Sequence, residues 1–151
     1  MADATSLYEA AGGAEGLLAP AEAWHARCLA DPVVSHAFSH PGQHPDHLRR
    51  LAAYWGEALG GPAVYSSSIA DESFVVRLHS GNGEHRDMDD RAIACFEGAI
   101  ADVGLDRDAA VGASLVSYFA AATRRLAEHP AGVAGIPDGL PVPRWSVSGP
   151  G

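Results

Sequence analysis

The sequence predicts an all-α domain, and three observations carry that prediction. Apolar residues recur at intervals of three and four in four long stretches. Few stretches alternate with period two, so strand signals are weak. Glycine and proline gather at the ends of those stretches and in the C-terminal tail.

The first long helix is predicted over residues 13–30. It follows the turn Gly12-Gly13 and carries Leu17, Leu18, Ala21, Trp24, Cys28 and Leu29. Asp31-Pro32 ends it, because proline disfavours helix in the residue before it. A short segment, Val33 to Phe38, leads into the two-proline loop HPGQHPDH. The next helix runs from Pro45 or Asp46 to about Leu59, with Leu48, Leu51, Ala52, Trp55 and Leu59 on one face. Gly60-Gly61-Pro62 stops it.

Residues 63–72 read as loop, with a Ser-rich turn at 66–68. Phe74-Val75-Val76-Arg77-Leu78 reads equally as strand or short helix, and Ser80-Gly81-Asn82-Gly83 as loop. Two further helices span Met88 to Val103 and Asp106 to Ala127, with inward faces Ile93, Phe96, Ile100, Val103 and Val111, Leu115, Tyr118, Phe119, Ala122, Leu126. From His129 to Gly151 the chain is rich in Pro and Gly, and an extended tail anchored by Trp145 is expected. The predicted organisation is therefore one domain over 1–128 with a tail over 129–151.

The 151 residues suffice for one core without covalent staples. Nineteen acidic residues against ten basic ones give a formal charge of −9. That balance argues against nucleic acid or an anionic membrane surface as partner, since both need a basic face. No apolar run approaches the ~20 residues of a membrane-spanning helix. MADATSLYEA lacks the basic start and apolar stretch of a secretory leader. Cys28 and Cys95 form no disulfide framework and read as small buried hydrophobes, so a reduced, cytoplasmic protein is expected.

The eight histidines are the unusual feature. His36, His40, His44 and His47 are spaced by four, four and three across a two-proline loop, which is a poor zinc pattern. His85 lies in the charged stretch EHRD and reads as solvated. His79 closes an apolar run, which suits an imidazole directed into a buried slot. GNG at 81–83 is a turn and not a phosphate loop.

Several segments, in order, resemble the truncated hemoglobins, group II above all. They are SLYEAAGG, LADPVVSHAF, YW followed after Gly56-Glu57-Ala58-Leu59 by GGPAVYS, and VVRLH. The resemblance covers about residues 6–128. It implies a two-over-two helical sandwich holding heme b. His79 matches the proximal iron ligand. Phe38 matches the aromatic that packs on the heme. His25, His47 and Leu51 match distal positions, Tyr65 a tyrosine at the heme edge, and Ala92 the place of a tryptophan. Leu48, Trp55, Val75 and Leu78 complete the expected cofactor contacts.

A proximal ligand needs one imidazole nitrogen for iron and an acceptor for the other ring N–H. A distal imidazole can donate a proton to a small ligand, and His47 and Leu51, four apart, share a helix face. The chain departs from the family where His25 replaces a tyrosine, where Ala92 replaces the tryptophan, and where SGNGE follows His79. The implied partners are dioxygen, nitric oxide or peroxide, together with a reductase. Oligomeric state is left open, a dimer included. Three rival readings stand beside the ligand-binding globin: a heme enzyme acting on a small organic substrate, a bis-histidine electron-transfer globin, and a heme-free helical module.

Overall fold

The computed structural model describes residues 6–35 and 46–150. Phe38, His36, His40 and His44 lie outside the described residues. Among those described are seven helices and one short hairpin: α1 Leu7–Ala10, α2 Gly13–Ala30, α3 His47–Ala58, α4 Val64–Ser68, α5 Glu72–Leu78, α6 Arg86–Asp102, α7 Ala109–Leu126, β1 Trp145–Ser146 and β2 Gly149–Pro150. Helix α2 packs on α3, α6 packs on α7, and α2 also lies against α6. The result is the two-over-two helical sandwich that the resemblance implies.

Local chemistry sets the helix ends. The side chain of Asp31 accepts the backbone N–H groups of Val33 and Val34 and turns the chain out of α2. Asp71 accepts from Phe74 N at the start of α5, and Asp108 accepts from Ala110 N and Val111 N at the start of α7. The four long helices fall close to their predicted bounds.

Two short elements differ from expectation. Residues 64–68 are helical and not a Ser-rich turn. Glu57, buried near the end of α3, accepts from both Ser66 N (2.8 Å) and Ser66 Oγ (2.6 Å) and so caps that turn from outside. Residues 72–78 resolve as helix, with Val75 and Val76 buried. The Asp71 cap and the inward face outweigh the β preference of the two valines.

The core is aromatic at its centre. Phe96 and Phe119 stack at 4.2 Å between centroids, and Trp24 and Trp55 meet them edge-on at 5.3–6.1 Å. Such pairs add about 0.5–1.5 kcal/mol each beyond burial. The N-terminal and GGP motifs form one joint. Tyr8 donates its N–H to Leu59 O, and its ring lies against Gly56 and Gly61. A Cβ at Gly61 would come within 2.5 Å of that ring.

The C-terminal segment is anchored well beyond Trp145. That residue meets Tyr118 edge-on at 6.2 Å. In addition, Ile136 and Val142 are buried, Arg144 donates to Gly61 O, and residues 129–140 hydrogen-bond to α5 and to the loop that follows it. No helix among the described residues is long and apolar enough to cross a membrane.

Candidate functional site

His79 sits at the C-terminal end of α5. Its Nδ1 lies 2.8 Å from the carbonyl oxygen of Val75, one turn back. A carbonyl only accepts, so Nδ1 carries the proton. In the neutral ring Nε2 is then the lone-pair nitrogen. The residue is exposed, so that nitrogen is available. The residue stands exposed at the end of α5, where the sequence suggested an imidazole directed into a buried slot.

Two large apolar side chains of α5 are also exposed. Phe74 is 47% exposed and Leu78 is 65% exposed, and they are four residues apart. Leu78 was expected from the sequence and Phe74 was missed, although its i, i+4 spacing to Leu78 is visible there. Val75, another expected contact, is buried in the core and supplies the carbonyl that orients His79.

Elsewhere the fold brings His25 of α2 and His47 of α3 together. Their ring centroids are 6.0 Å apart and both Nε2 atoms are buried. Burial pushes the pKa of His47 below the usual histidine value, and the neighbouring His25 adds to the shift. Leu48 and Leu51 lie partly buried on the same helix, with Leu51 packed against the core. Arg50, three residues after His47, also went unremarked in the sequence reading. It lies close enough to Tyr65 to oppose the rise in that phenol's pKa caused by burial.

Trp55 is placed in the aromatic core, 4% exposed. Tyr65 is buried edge-on against Tyr54 at 5.3 Å. Ala92 is partly buried, and its carbonyl accepts the indole N–H of Trp24 at 3.0 Å. His85 departs from expectation. It is partly buried, and its Nδ1 pairs with Asp89 Oδ1 at 2.8 Å. The partner lies one turn into α6, so the charged stretch holds the ring down.

A buried polar group ties α5 to α3 and α7. Tyr54 donates to Glu72 Oε1 at 2.6 Å, and Arg125 Nη2 donates to Glu72 Oε2 at 3.1 Å and to Tyr54 Oη at 3.2 Å. Burial drives the Tyr54 phenol well above its ordinary value, so it remains a donor.

The described residues contain no group of three or more His, Cys, Asp or Glu side chains that could hold a metal ion by themselves. An oriented, accessible imidazole beside exposed apolar side chains, together with a pair of neighbouring imidazoles on α2 and α3, fits a heme.

The family model for bacterial-like globins matches residues 6–124. The chain belongs to that family. Globins bind heme, and the coarse function follows: a heme globin that binds small gas ligands such as dioxygen. Solved structures agree on the fold. The hemoglobin of the thermophilic phototroph Chloroflexus aurantiacus is 19% identical with a TM-score of 0.69, covering 83% of this chain and 99% of that one. A thermostable hemoglobin from Thermobifida fusca is 24% identical with a TM-score of 0.67 over 83% and 99%. The group II truncated hemoglobin of Bacillus anthracis is 16% identical with a TM-score of 0.72 over 85% and 95%. No curated protein matches the sequence.

Proposed function

We propose that this globin holds heme b through His79 and presents the His25–His47 pair to a small ligand. The observation that carries the reading is the 2.8 Å bond from His79 Nδ1 to Val75 O. It fixes the tautomer and ring direction and leaves Nε2 for iron, the arrangement a single axial imidazole requires. Phe74, Leu78 and Ala92 would contact the macrocycle, with Leu48 and Leu51 on the other wall. Arg50, beside Tyr65, would face its carboxylates. When bound, heme supplies an iron that takes dioxygen or another diatomic.

The chain's own part is proton placement. Two imidazoles 6.0 Å apart cannot both ionise without mutual repulsion, and burial already disfavours the charged form of His47. His47 is therefore a neutral ring near pH 7, able to donate one N–H or to take up one proton. This supports a second reading, redox conversion of peroxide or nitric oxide, with His47 as general base and His25 as its partner.

The test is the absorption spectrum with hemin, comparing the wild type with His79→Gly. We expect a Soret band in the wild type, an altered one in the variant, and recovery on adding imidazole. Identical spectra for the two proteins would remove His79 from the iron. For the redox reading, unchanged peroxidase turnover in His25→Phe/His47→Leu would end it.

A further inference from the structure

Helix α5 is only seven residues long, far short of the ~12–15 at which a helix holds itself together in water. Its position, and with it the position of His79, must be imposed from outside. The helix has three faces. Val75 and Val76 face the core, Phe74 and Leu78 are exposed, and the third face, Ser73 and Arg77, is covered by the C-terminal segment.

That cover is built from directional bonds. Ser73 is fully buried. Its hydroxyl donates to Pro137 O at 2.7 Å and accepts from Leu140 N at 3.0 Å. Leu140 O accepts from Glu72 N at 3.2 Å, satisfying one of the orphan donors of the first turn. Arg77 donates to Ile136 O at 3.0 Å and pairs with Asp138 at 2.5 Å. Just beyond His79, Gly81 N bonds His129 O and Gly83 N bonds Pro130 O, both at 2.9 Å. Both glycines have positive φ, +77° and +72°, which a side chain would strain. The segment thus grips α5 at its start, along its flank and directly after His79.

We propose that residues 129–142 form a strap that sets the position of the His79 helix, with Ser73 and Arg77 as the positioning residues. The proposal rests on His79 being the iron ligand only for its functional consequence. The mechanical claim concerns the chain itself. A short helix clamped on two sides and open on the third holds its imidazole at one height and angle. Loosening the clamp lets the imidazole move without disturbing the aromatic core.

The experiment is amide hydrogen exchange on heme-free full-length protein, comparing wild type, Ser73→Ala, Arg77→Met and Arg77→Lys. The expected result is exchange about fivefold to tenfold faster over residues 75–80 in Ser73→Ala and Arg77→Met. Exchange in α2 and α6 should stay unchanged, and Arg77→Lys should recover part of the protection. In the heme-loaded proteins, hemin transfer to apomyoglobin should accelerate in the same order. Unchanged protection over 75–80, or a loss spread evenly over all helices, would overturn the strap. A His79→Gly protein with a wild-type heme spectrum would remove the ligand assignment, while the heme-free exchange still decides the strap.

Discussion

Trp24 donates its indole N–H to the carbonyl of Ala92, 3.0 Å away and 68 positions later in the chain. This single bond joins the middle of α2, one residue before His25, to the first half of α6. Ala92 is also the position that the resemblance to truncated hemoglobins matches to a tryptophan. The indole from α2 thus anchors α6 at that point, through the backbone of Ala92.

Trp24→Phe keeps a ring against Trp55 and Phe119 and removes the donor. The expected cost is about 1–3 kcal/mol: the lost bond, an underused carbonyl and a smaller ring in the core. Urea unfolding of the heme-free protein measures it, and the midpoint should fall with an unchanged slope.

The Arg125–Glu72–Tyr54 group gives a second prediction. Glu72 is 2% exposed, whereas the Arg125 side chain is about one-third exposed at 32%. Removing the cation leaves a buried carboxylate held by the Tyr54 hydroxyl. A fully buried pair broken in this way costs about 3–5 kcal/mol, and solvent at the arginine reduces that to about 2–3. Arg125→Met should lose that amount in thermal or urea unfolding. Arg125→Met/Glu72→Gln should recover part of it, because no charge is then left behind.

Much of this fold was legible because its determinants are local. The four long helices carry their own apolar stripes and stop signals, and 13–30 was read to the residue. What failed depended on distant partners. The turn at 64–68 is helical because Glu57 caps it, and the serines there read as turn formers when taken alone. The attachment of the C-terminal segment to α5 was not legible, because Ser73 lies 64 positions before Pro137. Within the site, the carbonyl acceptor for His79 depends on residues 72–78 being helix, which the two valines left undecided in the sequence. His85 was misread as solvated because its partner Asp89 belongs to the same charged run, and composition there concealed a helical i, i+4 pair.

The depressed pKa of His47 makes a pH prediction with a definite sign. In the unfolded chain the imidazole titrates near its ordinary value of 6.5, and in the folded protein below it. Between those two values the unfolded state binds the extra proton. Stability from this group is therefore present above about pH 6.5 and lost as pH falls toward the folded pKa, at no more than ~1.4 kcal/mol per pH unit. Unfolding of the heme-free protein between pH 8 and pH 5 should show this decline, and His47→Leu should flatten it. A wild-type curve that rises as pH falls through this range would contradict the burial of the neutral ring.

The exposed pair on α5 supplies a sharper distinction between folding and cofactor retention. Leu78 is 65% exposed, so replacing it by Ser removes little buried area from the heme-free protein. Its stability should change by less than about 0.5 kcal/mol. If the same side chain covers the macrocycle when heme is present, its loss forfeits about 1–2 kcal/mol of apolar contact there. Hemin transfer to apomyoglobin should then quicken by about five- to thirtyfold, with Phe74→Ser behaving alike. A Leu78→Ser protein that unfolds early yet keeps its heme as tightly as the wild type would place the side chain in the protein core instead. The open face of α5 would then lose its assignment as a heme wall.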